Sequence, residues 1–119
     1  MKKCIRVPTA LPFSGLDPTD YISDEMLQEG QPEEQGKSVF ADETRQLDVG
    51  VWECEPHRHV MTNCPYHEFV YLLEGCVDII DEEGEVETYR AGDSFVMPLG
   101  CNCIWDVKES IRKLYVVVE

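Results

Sequence analysis

Short apolar runs separated by Gly, Pro and acidic turns fill the chain from Val39 onward. The turns recur at intervals of roughly 8 to 12 residues, which is the spacing typical of an all-β sandwich or barrel. Helical periodicity is nearly absent. The pattern predicts strands at residues 39–40, 47–54, 59–62, 68–73, 76–80, 85–90, 94–97, 104–107 and 112–118.

The clearest local element is a hairpin formed by residues 76–80 and 85–90. Its connection, residues 81–84, ends in Gly84, which can supply the positive φ that such a turn needs. The acidic residues of this connection lack the regular oxygen-ligand spacing of a calcium loop. We therefore interpret them as a solvated loop tip.

The N-terminal region has a different composition. Residues 16–34 contain seven Asp and Glu but no Lys or Arg, and apolar residues are too sparse to form a stripe. At most one helical turn is expected, at residues 23–28 with Ser23 as its cap. We predict an irregular acidic N-terminal arm over residues 1–36 and a barrel domain over residues 37–119.

Charge limits the classes of partner. Ten Lys and Arg against 24 Asp and Glu give a formal net charge of -14 for 119 residues. Such a chain cannot assemble the basic surface that binds a phosphate backbone, so neither nucleic acid nor a membrane is expected as a partner. Arg6, Pro8 and Pro12 interrupt the apolar core that an export signal would need, and a cytoplasmic location is expected.

Six cysteines are many for this length, and in a reducing cytosol they should stay free, reacting with a thiol reagent in denaturant without prior reduction. Cys54 and Cys76 lie in strand-like runs, where they are expected as small apolar core residues. Cys101 and Cys103 are separated by one residue, so an extended segment would place both on one face, suited to lining a pocket. The remaining two are Cys4 and Cys64.

Two blocks of sequence resemble those of the cupin superfamily. In the first, Glu68 is followed by six residues and Gly75. In the second, Gly92 is followed by five residues, Pro98, one residue and Gly100. This resemblance implies an all-β cupin fold, a double-stranded β-helix or jelly-roll barrel, with an interior wide enough for one small ligand.

Other segments resemble a narrower group of cupins. The stretch from Gly50 to Pro56, Trp105, and the ending at residues 112–116 are similar to the single-domain cupins grouped with ureidoglycine aminohydrolases and ethanolamine-utilisation proteins. The resemblance implies a small-molecule-binding protein, auxiliary or catalytic, in nitrogen or amine metabolism. It does not fix a reaction, because one fold hosts many chemistries.

Metal-binding cupins carry two His shortly before the Glu of the first block and a third His soon after the second block. This chain has other residues at those places, among them Cys103 at the third. It does contain His57 and His59, but they lie farther from Glu68 than the family pattern requires. A longer loop and a bulge would be needed to bring them into register.

If both adjustments occur, the chain could bind a transition metal. His57, His59, Glu68 and Cys103 would then form a nitrogen, oxygen and sulfur ligand set suited to Zn, or less so to Fe or Ni. The alternative is that the two histidines are polar pocket or edge residues whose rings bond local carbonyls. His67 is adjacent to Glu68 and is expected on the opposite, exposed face.

Strand parity identifies the other pocket candidates. With Glu68 inward, Val70 also points inward, while Phe69 and Tyr71 face outward. In an apolar lining Glu68 would be the one ionisable group, paired with Arg58 or Tyr115, and could act as a general acid or base. A structural Glu bonded to backbone amides is the alternative. The expected ligand-binding residues are Trp52, Arg58, Glu68, Val70, Met97, Cys103 and Trp105, with Cys101 beside them.

Three functions remain open at this point. The first is a small-molecule-binding cupin, the second a metal-dependent enzyme acting on a small nitrogenous carboxylate, and the third an interaction module that uses the acidic arm. The apolar strand at 112–118 and the short one at 39–40 leave sheet edges to protect. We therefore expect a homodimer in which sheets of two subunits align and the arm crosses to the neighbour.

Overall fold

A computed structural model describes residues 2–119 of the chain and shows strands without a helix in this range. The nine strands are β1 (Asp17–Pro18), β2 (Leu27–Glu29), β3 (Glu34–Asp42), β4 (Leu47–Cys54), β5 (His57–Met61), β6 (His67–Ile80), β7 (Val86–Arg90), β8 (Ser94–Met97) and β9 (Cys103–Val118). Every strand pairing is antiparallel.

Two long strands hold the fold together. The N-terminal half of β9 pairs with β5 and the C-terminal half with β4, while β6 pairs along the other edge of both halves. Strand β6 also pairs with β7 and β8. The resulting curled sheet closes around one buried core and confirms the predicted all-β jelly-roll barrel of the cupin type.

Strands β4 and β8 coincide with the predicted ranges, whereas the predicted pairs 68–73 with 76–80 and 104–107 with 112–118 are single strands. Gly75 lies between the predicted strands 68–73 and 76–80, where a turn would be needed to separate them. It instead sits inside β6 with φ of 95°, where the register against β9 shifts on both sides of it. The glycine therefore permits a bulge, which bends β6 without ending it.

The predicted hairpin is confirmed as β6–β7. Gly84 has φ of 84°, and the Asp81 carboxylate accepts hydrogen bonds from the backbone N–H groups of Glu83 and Glu85. An acidic side chain thus shapes this loop by bonding its own backbone.

The segment predicted as an arm packs on its own barrel. It contributes β1 and β2, which pair with β3 and β5, and β3 itself begins at Glu34. Residues 24–26 form a turn before β2, where a helical turn was expected. Glu34 is buried and accepts hydrogen bonds from the Thr19 hydroxyl and from the backbone N–H groups of Tyr21 and Ile22.

The cysteines divide as their surroundings suggest. Cys54 and Cys76 are buried apolar residues, as predicted, and Cys64 and Cys103 are buried as well. All six are free thiols in the structure. No helix of the described residues 2–119 is long and apolar enough to cross a membrane.

Candidate ligand-binding pocket

A cavity of about 250 Å³ lies inside the barrel. Residues of β4, β5, β6, β8 and β9 form most of its wall, and the N-terminal segment completes it. The lining residues are Tyr21, Ile22, Met26, Asp48, Trp52, His59, Met61, Tyr66, Glu68, Met97, Trp105, Lys113, Tyr115, Val117 and Glu119.

Register places the polar residues in layers. Across β4 and β9, Trp52 lies opposite Lys113, and Asp48 lies opposite Val117. Val117 in turn lies opposite Glu68 on β6. Inward positions alternate along each strand, so Asp48, Val117 and Glu68 form one layer of side chains across the sheet. The backbone of Lys113 lies two such layers away along β9.

A buried ion pair spans these layers. The Lys113 ammonium donates to the Glu68 carboxylate over 2.6 Å between Nζ and Oε2, and the two residues are 7% and 5% exposed. The same ammonium lies over the rings of Trp52 and Trp105, 4.7 and 4.9 Å from their centroids. The carboxylate and two indole faces together compensate the cost of burying this charge.

His57 and His59 stack on each other beside Trp105. The rings of His57 and His59 are parallel within 6°, and Nε2 of His57 is 2.7 Å from Nδ1 of His59. His57 Nδ1 is 2.8 Å from the carbonyl oxygen of Glu55, which can only accept. The neutral pair therefore has His57 donating through Nδ1, His59 donating to His57, and a lone pair on His59 Nε2.

The protonation of His59 is suppressed. Burial lowers the pKa of His59 to about 3, with further lowering from His57 and from the positive charge of Lys113. At neutral pH the ring is uncharged. It stacks on Trp105, with ring centroids 5.7 Å apart.

Phenols and carboxylates form the rest of the polar lining. Burial raises the pKa of Tyr66 and of Tyr115, and neighbouring carboxylates raise both further, with Glu68 acting on Tyr66 and Asp48 on Tyr115. Tyr115 donates its hydroxyl to Asp48 Oδ2 over 3.3 Å. Both phenols therefore stay protonated at neutral pH and keep an O–H that can donate.

The residues predicted as a metal site are not brought together. His57 and His59 bond each other, and Glu68 bonds the Lys113 ammonium. Cys103 is buried in the core, where its thiol contacts Met97 Sδ over 3.7 Å. Within residues 2–119 no group of three or more His, Cys, Asp and Glu is arranged to hold a metal ion. A lysine ammonium stands where a metal would need Glu68 as a ligand, so the residues present do not fit one.

The predicted ligand-binding residues divide into two sets. Trp52, Glu68, Met97 and Trp105 line the cavity. Three others are outside the lining: Val70 and Cys103 belong to the packed core, and Arg58 points outward to Asp106 and Gln28. Arg58 is excluded by parity, since it lies between the two inward histidines of β5.

Several lining residues were not predicted from the sequence, and the two that matter most are Lys113 and Asp48. Glu68 was expected to be the one ionisable group and to pair with Arg58 or Tyr115, but Lys113 is its partner. The alternation of β9 carries the missing signal, because Lys113 and Tyr115 are separated by one residue and share a face. Asp48 stands in the same relation to Gly50 and Trp52 on β4.

Sequence comparison identifies the family. The model of the EutQ-like cupin domain matches residues 41–115. This chain belongs to the EutQ-like cupin family. The match covers the barrel strands from the end of β3 through most of β9, and with them the Glu68–Lys113 pair. No curated protein matches the chain in sequence.

Solved structures agree with this fold. A protein of unknown function of the DUF861 family from Pseudomonas syringae pv. tomato superimposes with a TM-score of 0.85 at 25% identity, covering 93% of this chain and 46% of that one. The cupin described here thus spans about half the length of that protein. The EutQ protein of Clostridium difficile superimposes with a TM-score of 0.64 at 24% identity, covering 83% of this chain and 80% of that one.

A third similar structure is more closely related in sequence over a shorter region. A DUF861 family protein from Thermotoga maritima is 34% identical, with a TM-score of 0.52, over 55% of this chain and 73% of that one.

Proposed function

We propose that this EutQ-like cupin binds a small organic molecule in the barrel cavity, as an auxiliary or catalytic protein of nitrogen or amine metabolism. The observation that carries the proposal is the Glu68–Lys113 pair between Trp52 and Trp105 at a cavity of about 250 Å³. Pockets for small molecules combine an apolar wall with a few oriented polar groups. The metabolic assignment is supported by two similar structures described as ethanolamine utilisation or EutQ proteins.

The same pair has the groups needed for acid–base catalysis. The Lys113 ammonium donates a hydrogen bond to the Glu68 carboxylate inside a largely apolar lining. Such groups serve as general acids or bases when a substrate reaches them. This supports acid–base chemistry without a metal over the alternative of a metal-dependent enzyme, because the histidines and Glu68 are engaged with other partners. With six free thiols, the proposed compartment is the cytoplasm.

The acidic arm has a structural role in this proposal. Tyr21, Ile22 and Met26 form part of the cavity wall, and Glu34 anchors the segment to the barrel. The arm therefore closes the pocket, which accounts for its position better than a free docking segment does.

The test is a binding measurement read at the two indoles. We expect at least one member of a panel of small amines, amino acids and carboxylic acids to shift the indole N–H signals of Trp52 and Trp105 in a saturable way. The double variant Lys113→Met with Glu68→Gln removes both charges together and should abolish the response. Lys108→Met, which alters an exposed lysine on the same strand, is the matched control.

Two results would contradict the proposal. One is a panel in which no compound gives a saturable shift. The other is binding that persists unchanged in the double variant, because the ligand would then lie outside this cavity.

A further inference from the structure

In the described part of the chain, two acceptors of the cavity lack a partner, as do the hydroxyls of Tyr21 and Tyr66 and the indole N–H of Trp105. Lys113 is engaged by Glu68 and by two indole rings. Glu68 Oε1 and His59 Nε2 receive no hydrogen bond from residues 2–119, and both residues line the cavity and are 5% exposed. Both acceptor atoms are accessible from the cavity, whereas Trp105 Nε1 is fully buried and out of reach of a ligand. Glu68 and His59 therefore favour a ligand that donates, and the hydroxyls of Tyr21 and Tyr66 can accept from it as well.

The net charge of the lining is negative. Asp48, Glu68 and Glu119 supply three carboxylates against the single ammonium of Lys113, and His59 is uncharged at neutral pH. The Tyr21 phenol lies in the same negative potential. Burial raises its pKa, and the charges of Asp48, Glu34, Asp20 and Glu68 raise it further. The whole chain carries a formal charge of -14, which attracts cations toward an acidic cleft.

The lining is also rich in aromatic faces. Trp52 and Trp105 already hold one ammonium, that of Lys113, which shows that this wall accepts a cation. Tyr21, Tyr66 and Tyr115 also line the cavity, and Tyr115 donates its hydroxyl to Asp48. An ammonium beside aromatic rings and carboxylates is stabilised by both.

From these three observations we infer that the ligand of this pocket is a small organic cation, an amine that is protonated at neutral pH. The inference rests on the proposed function and narrows it to a ligand class. A protonated amine offers only donors, which matches the free acceptors on Glu68 and His59. An anion placed against Lys113 would instead face the Glu68 carboxylate, whose Oε2 is 2.6 Å from Nζ.

The experiment compares three probes of equal size and different charge. Propylammonium, propionate and n-propanol are titrated separately while the indole N–H signals of Trp52 and Trp105 are followed by NMR. We expect propylammonium to bind most tightly and added salt to weaken it, because the attraction of the acidic lining is screened. The other two probes should bind weakly or not at all.

A charge-neutral variant tests the role of the lining acids. Asp48→Asn should weaken propylammonium binding about fivefold or more, since one nearby carboxylate charge is lost, and should leave n-propanol unaffected. Asp78→Asn is the matched control. Asp78 accepts a hydroxyl hydrogen bond of 2.6 Å from Thr88 on the neighbouring strand, as Asp48 does from Ser38, but it is not part of the lining.

The outcomes separate the two proposals. Three results would overturn the cation inference and leave small-molecule binding intact. They are tightest binding of propionate, equal binding of n-propanol and propylammonium, and an Asp48→Asn variant that binds propylammonium as the wild type does. Absence of any response to the three probes at tens of millimolar would also overturn it. The broader proposal is then decided by the metabolite panel and the Lys113→Met, Glu68→Gln double variant.

Discussion

Single side chains fix the chemistry of the cavity, and His59 shows how burial does this. The ring stays neutral because charging it would place an unsolvated cation next to Lys113. In the unfolded chain the same ring takes up a proton near its ordinary pKa of 6.5. Folding therefore excludes a proton that the unfolded state binds.

This exclusion predicts a pH dependence of stability. Between the folded pKa of about 3 and the unfolded value of 6.5, the unfolded state binds more protons, so the free energy of unfolding falls as pH is lowered. The contribution of His59 should reach about 1.4 kcal/mol per pH unit. Urea unfolding at pH 7, 6 and 5 measures it, and His59→Gln should flatten the curve. An equal slope in the wild type and in His59→Gln would refute the assignment.

A second prediction concerns the ion pair. Lys113→Met alone leaves the Glu68 carboxylate buried without its partner, and we expect a loss of about 3 to 5 kcal/mol in the free energy of unfolding. The double variant Lys113→Met with Glu68→Gln should recover much of this loss, because no unpaired charge remains. Equilibrium denaturation of the four proteins gives the coupling energy. A double variant as unstable as the sum of the single ones would contradict a direct pair.

Elements depend on a few backbone positions, of which Gly75 in β6 is the clearest. Its φ of 95° and that of Gly92, at 93°, are nearly identical. A Cβ at Gly75 would overlap the carbonyl oxygen of Ser110 on β9, whereas a Cβ at Gly92 would meet no atom within 4 Å. The two glycines thus share a conformation and differ in their surroundings.

Alanine substitutions at the two glycines therefore separate the cost of a left-handed backbone from the cost of steric overlap. Gly92→Ala should lower the free energy of unfolding by about 1 to 2 kcal/mol, the price of a left-handed conformation for a residue with a Cβ. Gly75→Ala should cost at least about 2 kcal/mol more, because the backbones of β6 and β9 must also separate. Chemical denaturation of both variants gives the comparison. Equal losses would show that β6 and β9 can move apart freely at this bulge.

The N-terminal segment is held as an element by one carboxylate. Glu34 accepts from Thr19, Tyr21 and Ile22, and the indole N–H of Trp52 lies 3.0 Å from the Thr19 hydroxyl oxygen. Glu34→Ala should therefore speed amide hydrogen exchange at Tyr21 and Ile22 by at least about tenfold. Glu33→Ala, at an exposed neighbour, should have no such effect. Unchanged exchange in Glu34→Ala would mean that strand pairing alone holds the segment.

At the scale of the whole molecule, the outer face of the sheet is the feature without a partner in the single chain. A row of uncharged side chains crosses five strands by direct register, from β8 through β6, β9 and β4 to β3. Phe40, Phe69 and Val96 in this row are 41%, 39% and 60% exposed. We call this set the outer row; its residues are Val96, Phe69, Val116, Val49 and Phe40.

We propose a homodimer through the outer row. Two chains with a formal charge of -14 repel each other, and an uncharged apolar row is where they can approach without opposing carboxylates. Sedimentation at micromolar concentration should show twice the mass of 13.6 kDa, with dimerisation favoured by added salt. Phe69→Asp should give monomers, and Val86→Asp, at an exposed position outside the row, should not. Only a 13.6 kDa species for the wild type would reject the dimer.

The sequence by itself determined the fold class and the faces of several strands. Strands β4 and β8 were predicted at their observed bounds, since alternation and flanking turn residues are local properties of the chain. The inward position of Glu68 and the outward positions of Phe69 and Tyr71 follow from the same two-residue period. The burial of Cys54 and Cys76 follows from their positions in strand-like runs.

Only the tertiary structure decided which inward residues meet. Lys113 reaches Glu68 across 45 positions of sequence, and the two indoles that enclose its ammonium come from β4 and β9. The sequence allowed His57 and His59 to join Glu68 as metal ligands only through a longer loop and a bulge, and in the structure the histidines bond each other. Pairing register between distant strands selects among many partners that local pattern allows, and the free energy of burying a charge then selects the partner that neutralises it.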